Sequence, residues 1–157
     1  MFTLISALRL FLAGPCSRRV IMGALTATLL ACTNPMLADK GPLYQQLGGI
    51  EGIKAIVGRT LDRVSQDSRS KRTFEGIKMP TLKATVSDYV CKVADGPCTY
   101  QGDTMRQSHA SLNITGAEFE LMVEILRDEL NATGVSNAAK NELLKRLAPT
   151  KRDIVKS

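Results

Sequence analysis

The sequence predicts an all-α domain over residues 42–157. Three observations carry that expectation: apolar residues recur at steps of three and four along four stretches, capping residues stand at the ends of those stretches, and no segment alternates apolar and polar residues with period two. The first stripe runs Ile50, Ile53, Val57, Leu61 and Val64 and is ended by the polar stretch from Ser65 to Arg72. Pro80 suits a first helical position for the second, in which Leu82, Val86, Tyr89 and Val93 share a face that stops at Asp95, Gly96 and Pro97. Thr115 and Glu118 have capping-box spacing and open a third helix with Phe119, Met122, Val123, Leu126 and Leu130 inside and Gly134 after its end. Ser136 caps the last helix, which points Leu143, Leu144, Leu147 and Ile154 inward and is kinked at Pro149. Residues 103–111, between the second and third helices, have no clear period. The chain has no Trp, four Phe and three Tyr, so Leu, Ile and Val do most of the packing. Side chains this small leave space between four helices for a filler that periodicity does not identify.

Composition narrows the function classes. Apolar residues make up 44% of the 157 residues and charged residues 23%, values of neither a disordered chain nor an integral membrane bundle. The single His excludes a zinc site with two histidine ligands, HExxH included. The formal charge of +6 is uneven: residues 1–31 carry Arg9, Arg18 and Arg19 and no acid, so without them the balance is +3. The remaining Lys and Arg are interspersed with Asp and Glu and form no aromatic-rich basic face, a pattern that speaks against a nucleic-acid partner.

Residues 1–31 read as an export signal. Ser17, Arg18 and Arg19 precede an uncharged run from Val20 to Ala31 that is too short to span a bilayer, and small residues lead into a cysteine at Leu29-Leu30-Ala31-Cys32. Those four residues resemble the lipobox of bacterial lipoproteins, in which the cysteine is acylated and becomes residue one, and Thr33 stands where an inner-membrane retention signal places Asp. Ser17-Arg18-Arg19-Val20-Ile21-Met22 also resembles a twin-arginine motif; an ordinary Sec signal accounts for the same residues. Residues 32–41 form a polar tether. Cys16 leaves with the leader and Cys32 takes lipid, so Cys91 and Cys98 remain as an even pair in an oxidising space, where a disulfide is expected and would stabilise the fold by about 2–3 kcal/mol in the chain-entropy model. Two free thiols are the cytosolic alternative.

Leu43-Tyr44-Gln45-Gln46-Leu47-Gly48-Gly49, Asp62-Arg63-Val64, Phe74, Tyr100-Gln101-Gly102 and Met105-Arg106-Gln107-Ser108-His109-Ala110-Ser111-Leu112-Asn113-Ile114-Thr115 together resemble a group I truncated haemoglobin, from Leu43 to about Val155. The resemblance implies a two-over-two helical sandwich around haem b, with the proximal helix reduced to a loop and one turn. It makes His109 the proximal iron ligand, where residue type alone would read a lone His as surface or satisfied core. It sets Phe74 against the haem face and places Met105, Ile114, Phe119, Met122 and Leu126 around the pocket, although plain core packing accounts for the same apolar residues. Arg106 and Tyr100 become candidates for the haem propionates. On the distal side, Leu61 stands where the family often has a Tyr, Val86 where it has a Gln or similar donor, and Leu82 at a third apolar position; Thr85 replaces a basic residue that often reaches a propionate. The usual distal hydrogen-bond network is absent unless Thr60, Thr85 or Tyr89 substitutes.

The resemblance therefore implies an exported haem protein that binds O2, CO or NO reversibly, carrying or sensing the gas. An enzymatic alternative is a haem oxidoreductase such as an NO dioxygenase or peroxidase, which would need an electron donor as partner. The leader places either in the bacterial cell envelope as a periplasm-facing lipoprotein, held to the membrane through Cys32. Acylation needs the Cys32 sulfur, so Cys32→Ser is expected to leave an unprocessed precursor or release soluble protein; identical processing and membrane fractionation of the two forms would contradict the lipid anchor.

Overall fold

The computed structural model describes residues 41–156, so the expected export signal, Cys32 and nearly all of the tether lie outside the described residues. Helix α1 (Leu43–Gln46) is a single turn that buries Leu43, and Leu47 behind it is buried too. Gly48 and Gly49 follow with φ of 84° and 65°, a left-handed pair that costs glycine little and turns the chain directly into α2 (Gly49–Gln66). The Tyr44 hydroxyl accepts a hydrogen bond from the Ile50 amide at 2.9 Å, satisfying one of the open N–H groups of the first turn. A side chain at Gly52 would collide with the Leu47 carbonyl, its Cβ only 2.1 Å from that oxygen.

A 3-10 turn, Lys71–Phe74, leads to α3 (Met79–Val93), with Pro80 in its first turn. A disulfide joins Cys91, near the end of α3, to Cys98 in the loop beyond it. The aperiodic stretch holds one short helix, α4 (Met105–Ser108), capped reciprocally by Thr104 and Gln107. The expected capping box of Thr115 and Glu118 starts α5 (Gly116–Ala132), and the Ser136 side chain caps α6 (Asn137–Leu147). At Pro149 the last helix is interrupted by a 3-10 turn, Ala148–Thr150, between α6 and α7 (Lys151–Ile154), with the flanking backbone still in the right-handed helical region. Among the described residues there is no strand, only one isolated parallel bridge between Ile114 and Val155.

Helix α2 is central, packing on α3 and on α5, while α6 touches α1, α3 and α5. The all-α class and the two-over-two layering agree with expectation, but the faces in contact do not all agree. In α3 the buried residues are Ser87, Val90 and Cys91, and in α5 Leu121 and Ile125 are buried beside the expected Leu130. The stripes picked out by periodicity, Leu82–Val86–Tyr89 and Phe119–Met122–Leu126, are only partly buried. Each helix has two apolar faces, and the more regular one lines a cavity rather than packing onto a neighbouring helix.

The protein-facing side of α5 continues Leu121 and Ile125 to Glu129 at the next step of four. Its carboxylate accepts from Arg59 Nε at 2.7 Å and Arg63 Nη1 at 2.8 Å, both on α2, and Arg63 Nη2 also reaches Asp128 at 3.2 Å. The hydrogen bonds from Arg63 and Arg59 hold the Glu129 carboxyl below the usual glutamate range. A carboxyl lowered on folding stabilises the folded state above its unfolded value and loses that contribution as the pH falls through the folded one. Glu129→Ala should therefore cost about 2–3 kcal/mol in urea unfolding at neutral pH. The gap between variant and parent should narrow as the pH falls below the ordinary glutamate range; a gap independent of pH would mean the pair contributes only packing.

Candidate functional site

The more regular apolar faces of α3 and α5 line a cavity of about 570 Å³, of the size that holds a cofactor. Helix α2 supplies Val57, Thr60, Leu61 and Val64; the 3-10 turn and the chain after it supply Thr73, Phe74 and Ile77; α3 supplies Leu82, Thr85, Val86, Tyr89 and Val90. Across from these, the wall is built by Met105, Ser108, His109, Leu112 and Ile114, by Phe119, Met122, Val123 and Leu126 of α5, and by Leu144, Leu147 and Ile154. Tyr100 closes one side, its ring edge-on to Tyr89 with centroids 5.2 Å apart.

Of the residues singled out in the sequence, His109, Phe74, Leu61, Leu82, Val86, Tyr100, Met105, Ile114, Phe119, Met122 and Leu126 all line this one cavity. Arg106 does not. It is exposed and pairs with Asp153 at 2.6 Å. Tyr100 is in the wall, but its hydroxyl donates to the Asp103 carbonyl at 2.7 Å. Ile77, Val90 and Leu112 line the cavity without being marked by period or motif, and Val57 and Leu144, which belong to the apolar stripes, carried no signal to separate cavity wall from ordinary core.

His109 follows α4, and its orientation is set locally. Its Nδ1 lies 2.8 Å from the Met105 carbonyl, which can only accept, so the ring proton sits on Nδ1 and the Nε2 lone pair is left for a ligand. Ser108 Oγ adds a contact to Nδ1 at 3.0 Å. An imidazole fixed by a backbone acceptor, beside a large apolar cavity, is the donor arrangement that holds haem iron, so the residues present fit that group.

The loop after His109 is pinned from outside the cavity. Arg72 donates to the carbonyls of Leu112 at 3.1 Å and Asn113 at 3.0 Å, and to Glu118 at 2.6 Å. Burial pushes the Glu118 carboxyl up, but hydrogen bonds from Thr115 and Arg72 outweigh it and hold the group below its usual range.

The two threonine hydroxyls on the α2–α3 wall are spent on their own helices. Thr60 Oγ1 donates to the Ile56 carbonyl at 2.8 Å and Thr85 Oγ1 to the Thr81 carbonyl at 3.0 Å, each within its own helix. Leu61, Leu82 and Val86 offer no donor. Burial and the neighbouring Tyr100 and Asp153 raise the Tyr89 phenol above its ordinary range, which keeps it protonated at neutral pH.

The sequence profile of the family described as "Bacterial-like globin" matches residues 42–156. The group 1 truncated hemoglobin GlbN of Mycolicibacterium paratuberculosis (strain ATCC BAA-968 / K-10) is 31% identical over 117 residues, covering 74% of this chain and 86% of the relative. The group 1 truncated hemoglobin of Tetrahymena pyriformis is 29% identical over 113 residues, 72% of this chain and 93% of that protein. The crystal structure of the Tetrahymena protein in its Fe(III) form superposes with a TM-score of 0.71, covering 74% of this chain and all of that one.

Proposed function

The chain belongs to the bacterial-like globin family as a group 1 truncated haemoglobin, a haem-binding globin for diatomic gases, and from that premise we propose that His109 Nε2 is its proximal iron ligand and that gas is held against an apolar distal wall. The observation that carries the first part is the Nδ1–Met105 contact, which leaves Nε2 as a free lone pair beside the cavity. Bound haem iron supplies the coordination position at which O2, CO or NO is held. Phe74, Met122 and Leu126 exclude water from the porphyrin, and His109, tethered through Nδ1, is oriented before haem arrives. His109→Ala should abolish stable haem binding or make it depend on added imidazole; unchanged ferrous and ferric spectra would overturn the assignment.

Leu61, Leu82 and Val86 make the distal choice. O2 takes up more negative charge as a ligand than CO does, and a distal donor in a dry pocket favours it by about 1.5–3 kcal/mol through a charge-assisted hydrogen bond. Three aliphatic side chains forgo that gain, so O2 is held more weakly relative to CO by about one to two orders of magnitude than in a relative with a distal Tyr. The same wall supports reversible gas binding and carriage over turnover: the chain's one His is assigned to the proximal side, and neither α2 nor α3 presents a carboxylate to the cavity. The leader supports a site of action in the bacterial envelope with Cys32 as the membrane anchor. In stopped-flow measurements Leu61→Tyr should slow O2 release about tenfold. Slow release in the parent, unaffected by Leu61→Tyr and lost in Tyr89→Phe, would show that Tyr89 is the donor and the apolar reading is wrong.

A further inference from the structure

Residues 148–156 do more than end the fold. Arg106, three residues before His109, pairs with Asp153 of α7 at 2.6 Å, and α4 packs on α7. Five residues beyond His109, the Ile114 carbonyl accepts from the Lys156 amide at 3.0 Å, next to the Ile114–Val155 bridge. Lys151 reaches Glu120 at 2.5 Å and stands 5.7 Å from the Phe119 ring centre, so the same segment is also tied to the first turns of α5. Apart from these ties and the Arg72 hydrogen bonds to the Leu112 and Asn113 carbonyls, little holds the stretch bearing His109: α4 is one turn long, its residues are not buried, and Asn113 sits at a φ of 47°.

We propose that residues 148–156 act as a strap that grips the His109 loop on both sides and sets how His109 presents Nε2, with Asp153 as a positioning residue acting through Arg106. The proposal rests on His109 being the iron ligand. Arg106 is thereby a structural cation of the protein rather than an anchor for the cofactor. Met105, whose carbonyl orients the imidazole, lies one residue before Arg106, so a displacement of α4 is passed to the ring through a single hydrogen bond.

The test uses the haem-loaded full chain with Asp153→Asn, the charge swap Arg106→Asp/Asp153→Arg, and Lys156→Pro. The last removes the amide donor to Ile114, and Val155 before it already has φ −81° and ψ 130°, a backbone that tolerates a following proline. Two quantities are read: the iron–histidine stretching band in resonance Raman spectra of the ferrous protein, and the rate of haem transfer to an apoglobin acceptor. Asp153→Asn and Lys156→Pro should each shift or broaden the band and speed haem loss by up to about fivefold, as expected for losing one exposed ion pair or one backbone hydrogen bond. The charge swap should restore both readings. An unchanged band, with or without lower stability, overturns the strap while leaving His109 in place as long as His109→Ala still loses haem. Retention of haem by His109→Ala overturns the ligand assignment and the strap with it.

Discussion

A cavity walled by aliphatic side chains has to stay open without protein atoms to fill it, and that constraint explains most of the architecture. Helix α2 is held to α5 by a charged clamp, Arg59 and Arg63 on Glu129, as well as by apolar contact. Two guanidinium groups on one carboxylate add directional contacts to the apolar packing and favour one register of the two helices over a turn. On the other side the disulfide, the Arg72 fan and residues 148–156 hold the loops that a longer proximal helix would otherwise organise.

Local chemistry was legible in the sequence to the extent that it depends on neighbours along the chain. Both capping residues, Thr115 and Ser136, behave as their spacing implies, and the interruption at Pro149 falls where a missing amide requires it. The apolar stripes of α3 and α5 were also real. What periodicity could not tell was which face meets protein and which meets a cofactor, because Met122 and Leu126 look the same whether a helix or a porphyrin covers them. Leu121 and Ile125 were passed over because a helix with two apolar faces has no single phase. The motif around His109 pointed to the family where period could not, since it specifies a backbone arrangement as well as a residue type.

Long-range polar pairing was the illegible part. The resemblance makes Arg106 a candidate for the haem propionates, and no local signal marks its partner in the fold, Asp153, 47 residues further on. Arg72 with Glu118 and Arg59 with Glu129 are separated by 46 and 70 residues, and nothing in either local sequence marks them as a pair. Such contacts follow from the fold and are invisible before it. The distal wall shows the reverse: Thr60 and Thr85 were legible as possible donors, and only the helix geometry shows that each returns its proton to its own backbone.

The double face of α5 divides its side chains between two different equilibria. Leu121 and Ile125 are buried by the polypeptide itself, while Phe119, Met122 and Leu126, which line the cavity and are only partly buried, would be covered further by a bound prosthetic group. A ligand that binds the folded chain and not the unfolded one raises stability in proportion to the logarithm of its free concentration over its dissociation constant. The resistance of this protein to heat and proteolysis is therefore no fixed property of its sequence. It would rise and fall with the supply of haem in the compartment where the chain folds.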